Sequence, residues 1–388
     1  MSSTMASRVV VQPLVNVSQI LPSHHLNASK TKFTNPWPSF IPPTASTILK
    51  FIVTSLFYAP QPPPNINDLI PIHIPDWGRD FGSEQIKATW LGHACFLIEL
   101  PTPKGAFRGA RVLFDPVFSA RCSPLSFLGP VRYTPAPCSM EEIPALDAIC
   151  LSHNHYDHTD TTTLQFLSKK YEPHIFAPLG NGPYLQSIGV PDTHIHILDW
   201  WDSCVVSLHI PSFYSTPELN ELESRSQSQP SLKTEFKITC TTSQHGSNRG
   251  FLDRWVTLWS SWVIESGDTG YRTVSKDAID TEREATLPVC PAFKEIGDKF
   301  DGFDLAMIPI GAYNPREVVS SWHAHPRDSV GIFQDVKARK GLGMHWGTWV
   351  LTMEPIMEPS QLLKEECAKV GIQDNDFDTC GLGETRAF

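Results

Sequence analysis

A layered α/β fold is what this sequence predicts, and three features predict it. Short apolar runs recur from about Ile86 onward, each β-leaning and each ending in Gly, Pro, Asp or His, so they read as strands running into polar loops. Helical patterns between them are few and short, at Thr161–Tyr171, Pro326–Lys340 and Pro359–Gly371, which interleaves helices with strands and covers sheets with them. Proline, at 34 of 388 residues, is close to twice the usual share of about 5%, which argues against long helices, bundles and coiled coils.

Taken in order, the strand runs are Thr89–Leu100, Ala110–Phe118, Asp147–His155, His174–Gly180, His194–Trp200, Lys237–His245, Ser261–Gly270, Asp304–Tyr313 and Gly341–Trp349. They define a main domain over 86–388, preceded by an extension over 33–85 and a tail over 1–32. The tail has no Asp or Glu, is rich in Ser, and carries only Arg8, Lys30 and Lys32 as cations. It lacks the basic start and unbroken apolar core of a secretory signal, and two readings fit it: a disordered tail or a mitochondrial targeting segment. The run Thr44–Ala59 lies between Pro43 and Pro60 and is too short to span a bilayer. It is either a short helix packed on the core or an interfacial helix with Lys50 snorkelling. Two stretches read as surface inserts, the Ser/Gln-rich 212–233 and the charged 272–289.

With 41% apolar and 10% aromatic residues the chain has material for a sizeable core, and global disorder is excluded. A formal charge of −10, from 31 basic and 41 acidic residues, argues against an electrostatic grip on nucleic acid. Nine scattered cysteines with no CxxC pair, several within apolar runs, read as reduced, buried, intracellular thiols, neither a disulfide framework nor a thiolate metal site.

The segment His153-Asn154-His155-Tyr156-Asp157-His158 carries the chemistry. It follows an apolar strand, where alternate side chains point the same way, so His153 and His155 project together. Three imidazoles and a carboxylate in six residues make a poor core and a good site for zinc, iron or a similar borderline metal. Further strand ends offer His93, His245, Asp268 and His345. Each alone is a weak signal, but one sheet rim can gather them into a cleft.

This set, with FTNPWPSF (33–40), TWLGHA (89–94), LDWW (198–201), GDTGY (267–271), the IPIGAY strand end and HWGT (345–348), resembles the metallo-β-lactamase superfamily. More closely it resembles the phospholipase D family that hydrolyses N-acylphosphatidylethanolamine. The resemblance runs from about Phe33 to the C-terminus, and implies a four-layer αββα sandwich with a binuclear zinc cleft at the sheet ends. Carried over by motif, His153, His155 and His245 hold one Zn2+, Asp157, His158 and His345 hold the other, and Asp268 bridges both. Asp157 and Asp268 orient the site, and an activated water attacks phosphorus, releasing the N-acylethanolamine and leaving phosphatidic acid. His323 is the candidate for contacting phosphate or protonating the leaving oxygen. The family usually has an acidic residue two positions later, where this chain has His325, so the local network there is open. His93 and Asp115 are candidates for supporting the ligands or for plain packing and turn capping.

The resemblance also tips the run at 44–59 toward the membrane, with Phe51, Ile52 and Leu56 as contacts for a phospholipid substrate. It implies peripheral membrane association inside the cell, on a cytoplasmic face or in mitochondria, and a homodimer. Two other readings keep the same motif: a superfamily hydrolase of lactones, thioesters or small phosphodiesters, and a non-catalytic membrane protein with a relic site. The complete ligand set argues against the relic.

Overall fold

The computed structural model describes residues 8–14, 23–125, 127–211, 231–250, 252–263 and 268–388. The elements, in order, are β1 (Arg8–Leu14), α1 (Ala45–Tyr58), α2 (Ile66–Leu69), β2 (Lys87–Gly92), β3 (Cys95–Glu99), β4 (Arg111–Phe114) and β5 (Ala148–Cys150). Then come α3 (Thr161–Tyr171), β6 (His174–Pro178), α4 (Gly182–Ser187), β7 (Ile195–Leu198), β8 (Ser203–Pro211), β9 (Ser231–Thr241) and β10 (Ser261–Val263). The last part holds α5 (Glu282–Ala285), α6 (Ala292–Phe300), β11 (Ala306–Pro309), α7 (Arg316–Val319), α8 (Pro326–Asp335), β12 (Gly341–Met344), α9 (Glu358–Val370), β13 (Phe377–Asp378) and β14 (Thr385–Ala387).

One sheet has the order β14-β2-β3-β4-β5-β6-β7, antiparallel as far as β4 and parallel from β4 to β7. A second group is the antiparallel β1-β8-β9-β10 and the parallel β11-β12-β13. The two-residue period of a strand sorts the large sheet's side chains between two cores. Phe96, Ile98, Val112, Phe114 and Cys150 pack with Val206, Leu208, Ile238, Met307 and Leu342 of the second group, and with Phe293, Ile332 and Leu363 of α6, α8 and α9. Their neighbours Cys95, Leu97, Leu113 and Ile149 pack on the other face, against Leu164 and Leu167 of α3 and Leu185 of α4. That is the four-layer αββα sandwich. Each such large side chain stabilises by about 2 kcal/mol on burial, and Phe96→Ala would cost about 3–5 kcal/mol with its cavity.

Several expectations need correction. Residues 8–14 of the tail form β1, paired along its length with β8, and His24 and His25 are buried. Apolar Val9 and Val11 pack on the inter-sheet core and hold the strand there. Of the stretch 212–233, residues 212–230 lie outside the described residues. Ser231–Lys233 belong to β9, whose pairing with β8 reaches Pro211↔Ser231. The stretch 272–289 is not a surface insert throughout: Val274, Ala278 and Glu284 are buried. Arg272 forms an ion pair with the buried Asp328, and Arg316 donates to Glu284 at 2.6 Å. All nine cysteines are free and most are buried. Among the described residues no helix is long and apolar enough to cross a membrane.

Candidate metal centre

The cluster sits where strands end. His93 turns between β2 and β3, Asp115 follows β4, and His153 lies just past β5, with His155 and Asp157 after it. His245 follows β9, Asp268 follows β10, and His345 follows β12 directly. His93, Asp115 and His345 have φ of 54°, 38° and 64°, a left-handed backbone uncommon for residues with a side chain and frequent at functional sites.

Fixed hydrogen bonds decide which ring nitrogens carry protons. His245 Nδ1 donates to the Trp322 carbonyl at 2.9 Å. His155 Nε2 donates to Asn248 Oδ1 at 3.0 Å. Ser152 Oγ gives its proton to Asp115 Oδ2 at 2.6 Å, so it accepts from His153 Nδ1 at 2.9 Å. The remaining lone pairs, on His153 Nε2, His155 Nδ1 and His245 Nε2, face one another at 2.8, 3.2 and 3.4 Å. Three acceptors converge with no proton between them. Such a set is repulsive unless a cation sits among them.

The neighbouring group repeats this around carboxylates. His158 Nδ1 donates to Asp115 Oδ2 at 2.7 Å, leaving Nε2 buried without a hydrogen-bond partner, 3.2 Å from Asp268 Oδ2. Asp268 Oδ2 also lies 2.7 Å from His345 Nε2 and 4.0 Å from His245 Nε2, so one carboxylate reaches both groups. Asp157 Oδ2 lies 3.5 Å from His158 Nε2 and 3.6 Å from His345 Nε2. Burial alone would raise the Asp268 carboxyl, but His158 and His345 hold it well below the usual range. The same carboxylate, opposing the effect of burial, lifts His345 to about 9. Burial and the neighbouring rings push His153 well down. The centre therefore calls for positive charge, and its orphaned lone pairs fit divalent metal.

The supporting candidates are in place. His93 Nε2 bonds Asp157 Oδ2 at 3.0 Å. Asp115 accepts from Ser152 N and Ser152 Oγ as well as from His158, so it orients the ligand-bearing loop. His323 Nδ1 stands 3.7 Å from Asp268 Oδ2, and burial lowers its pKa to about 4. At neutral pH it is an uncharged imidazole, suited to hydrogen bonding more than to giving up a proton. His325 is turned away: it caps α8, accepting from Arg327 N at 3.1 Å, and packs on Tyr313.

Four supporting residues escaped the sequence reading. Ser152 adjoins the motif and could have been suspected, whereas Asn248 gives no signal. Gln244, beside His245, accepts from Ser39 Oγ at 2.6 Å, donates to the Ser321 carbonyl at 3.1 Å, and receives Gly270 N at its backbone oxygen at 2.7 Å. Asn35 donates to the His245 carbonyl at 2.7 Å. The NPWPS stretch is thus stitched to the loops that carry His245, Asp268 and His323. At Gly270 a Cβ would come within 2.5 Å of the Ser321 carbonyl oxygen, which is why glycine stands in GDTG.

Ile48, Phe51 and Ile52 of α1 line a cleft of about 570 Å³ together with His155, Asp157, His245, Asp268 and His323. The side chain of Leu56 lies outside the described residues. Thr44 caps α1, its hydroxyl accepting from Thr47 N at 3.2 Å. Leu49, Val53, Phe57 and Tyr58 are exposed on the same helix, so one helix meets both the cleft and solvent with apolar side chains.

Imidazoles and carboxylates gathered at the rim of an αββα sandwich define a metal-dependent hydrolase, and residues 110–346 match the Beta-lactamase superfamily domain. The "N-acyl-phosphatidylethanolamine-hydrolyzing phospholipase D 1" of Caenorhabditis elegans is 34% identical over 357 residues, 88% of this chain and 87% of that one. The mitochondrial enzyme of the same description from Saccharomyces cerevisiae is 27% identical over 92% of this chain and 75% of its own. An uncharacterized protein of Mycobacterium tuberculosis is 33% identical over 76% of this chain and 67% of its own. The chain belongs to the N-acylphosphatidylethanolamine-hydrolysing phospholipase D family of the metallo-β-lactamase superfamily.

Proposed function

We propose that this protein cleaves N-acylphosphatidylethanolamine to N-acylethanolamine and phosphatidic acid with two Zn2+. The observation that carries the reading is Asp268 Oδ2, within 4.0 Å of nitrogens from both imidazole groups, in a cleft shared with the apolar face of α1. The names of the worm and yeast relatives support the substrate. His153, His155 and His245 would hold one metal and Asp157, His158 and His345 the other, with Asp268 shared. Purely nitrogen and oxygen donors suit zinc with an open position. Bound metal supplies Lewis acidity and a water acidified toward neutral pH.

The chain's own residues do the rest. Asn248, Ser152 and the Trp322 carbonyl hold protons on the outer ring nitrogens, so the inner lone pairs stay free. Ile48, Phe51 and Ile52 receive the lipid's apolar part and exclude solvent from the cleft. Neutral His323 donates a hydrogen bond to a phosphoryl oxygen, and His323→Ala should lower turnover. Polar substitution of Phe51, Ile52 and Leu56 should weaken vesicle binding while sparing a soluble diester. The exposed apolar side chains of α1 support peripheral membrane association inside the cell, and the yeast relative's name supports a mitochondrial location.

The test is hydrolysis of the lipid with product identification, with and without chelator, alongside elemental analysis. Release of N-acylethanolamine that chelator stops is the expected result. Cleavage of lactones or thioesters in its place would mean another superfamily chemistry. An ordered, metal-free protein with no turnover would mean a relic.

A further inference from the structure

We propose that Arg254 is the phosphoryl-recognition residue of the cleft, its guanidinium holding the anionic oxygens of the diester and of the phosphate product. This deepens the reading above and rests on it. Arg254 is the one lysine or arginine among the described residues lining the cleft that holds His155, Asp157, Asp268 and His323. Its Cζ stands 4.8 Å from the ring centroid of Trp255 and 5.6 Å from that of Trp322. Trp322 precedes His323, and its carbonyl bonds His245, so the guanidinium packs on a residue that itself contacts the metal centre.

Two features make this an anion site and not a packing accident. The first is that Arg254 has no carboxylate partner among the described residues, in a chain of net charge −10. Carboxylates engage Arg108, Arg111, Arg272 and Arg316, and backbone carbonyls take the N–H groups of Arg132 and Arg249, whereas among the described residues the exposed Arg254 meets only its indole neighbours. Stacking on indole fixes a guanidinium's plane without neutralising it and leaves its N–H groups for a two-pronged grip on phosphate. The second is that its loop is tethered. Asp253 accepts from Arg249 N at 2.9 Å and from Gly250 N at 2.8 Å, and Trp255 N donates to the Ser247 carbonyl at 2.9 Å. An exposed cation on a tethered loop, between the apolar side chains of α1 and the imidazoles and carboxylates of the centre, marks where the charged part of an amphiphile must lie.

The test compares wild-type protein with Arg254→Gln and Arg254→Lys as full-length, metal-loaded chains. Substrates are N-acylphosphatidylethanolamine in neutral-detergent micelles and soluble bis(p-nitrophenyl) phosphate. We expect R254Q to raise KM about tenfold on both, with kcat within about threefold, because a charge-assisted hydrogen bond is lost. R254K should stay within about threefold of wild type, since it keeps the charge. Quenching of tryptophan fluorescence by dibutyl phosphate reads binding without turnover, and R254Q should weaken it about tenfold as well. An unchanged KM and unchanged dibutyl phosphate binding in R254Q would overturn the proposal. So would a loss confined to vesicles containing phosphatidylserine, which would assign Arg254 to the bilayer surface. An equal loss in R254K with a lower Tm would make it a packing residue. If the wild type cleaves neither diester, the functional reading fails, and the fluorescence titration still decides whether Arg254 binds phosphate.

Discussion

Two clusters in this molecule are built from the same residue types and differ in what they need. One is the centre of His153, His155, His245, His158, His345, Asp157 and Asp268. The other is His24, His25 and Asp199, all buried, in which His24 Nε2 meets Asp199 Oδ1 at 2.7 Å and His25 Nε2 meets Oδ2 at 2.8 Å. In the second, two N–H donors meet two carboxylate oxygens, and the Lys30 ammonium adds its charge at 3.4 Å. Protons satisfy both carboxylate oxygens of that clamp and leave a single orphan, the buried His25 Nδ1, with no second lone pair facing it. In the first, lone pairs face lone pairs, and His158 Nε2, His345 Nε2 and both Asp268 oxygens are buried without hydrogen bonds. Ligand-type residues in proximity do not define a metal site; unpaired acceptors in proximity do.

The sharpest way to break this comparison is to neutralise each carboxylate. Asp268→Asn should lower turnover beyond the ~10–100-fold that losing an outer partner costs, and should reduce bound metal per chain by elemental analysis. Asp199→Ala should leave metal per chain unchanged and destabilise by about 3–5 kcal/mol in denaturant unfolding, because a buried charged network loses its centre. Metal lost from the Asp199 variant alone would reverse the assignment. Asn248→Ala, which frees the outer nitrogen of His155, should weaken metal affinity about tenfold in a competition titration and leave stability nearly unchanged.

The smallest effect is in pH. Asp199 is pushed down to about 2, since His24 and His25 outweigh its burial, so its contribution is present in full above the ordinary carboxylate range and is lost only as pH falls toward 2. Burial lowers His174 to about 4, and likewise its stacked neighbour His196, so their contributions are present above 6.5 and decline between 6.5 and 4. The stability of chelated protein should therefore fall from pH 6.5 to 4 and again below about 4. Substituting both His174 and His196 should shrink the first step without abolishing it, since the buried His323 titrates over the same range.

The legibility of this chain followed its chemistry. Strand runs were readable because each ends in a turn residue, and the alternation in Cys95–Glu99 that divides Phe96 and Ile98 from Leu97 is local. His153 and His155 were readable because a two-residue spacing on a strand fixes their direction. His245, Asp268 and His345 were single residues, and only the sheet rim joins them. The clamp was not legible: His24 and His25 lie in a stretch with the composition of a tail, and their partner is about 175 positions away. Nor was 272–289, where charge suggested solvent, but Glu284 is buried against Arg316.

The clamp also sets a rule for maturation of the polypeptide. Asp199 keeps its imidazole partners only if the chain remains joined from His24 onward. Any proteolytic trimming of the N-terminus that spares the clamp has to fall upstream of that histidine pair. A start site or import peptidase acting a dozen residues later would release an enzyme with every ligand present and the scaffold beneath them unmoored.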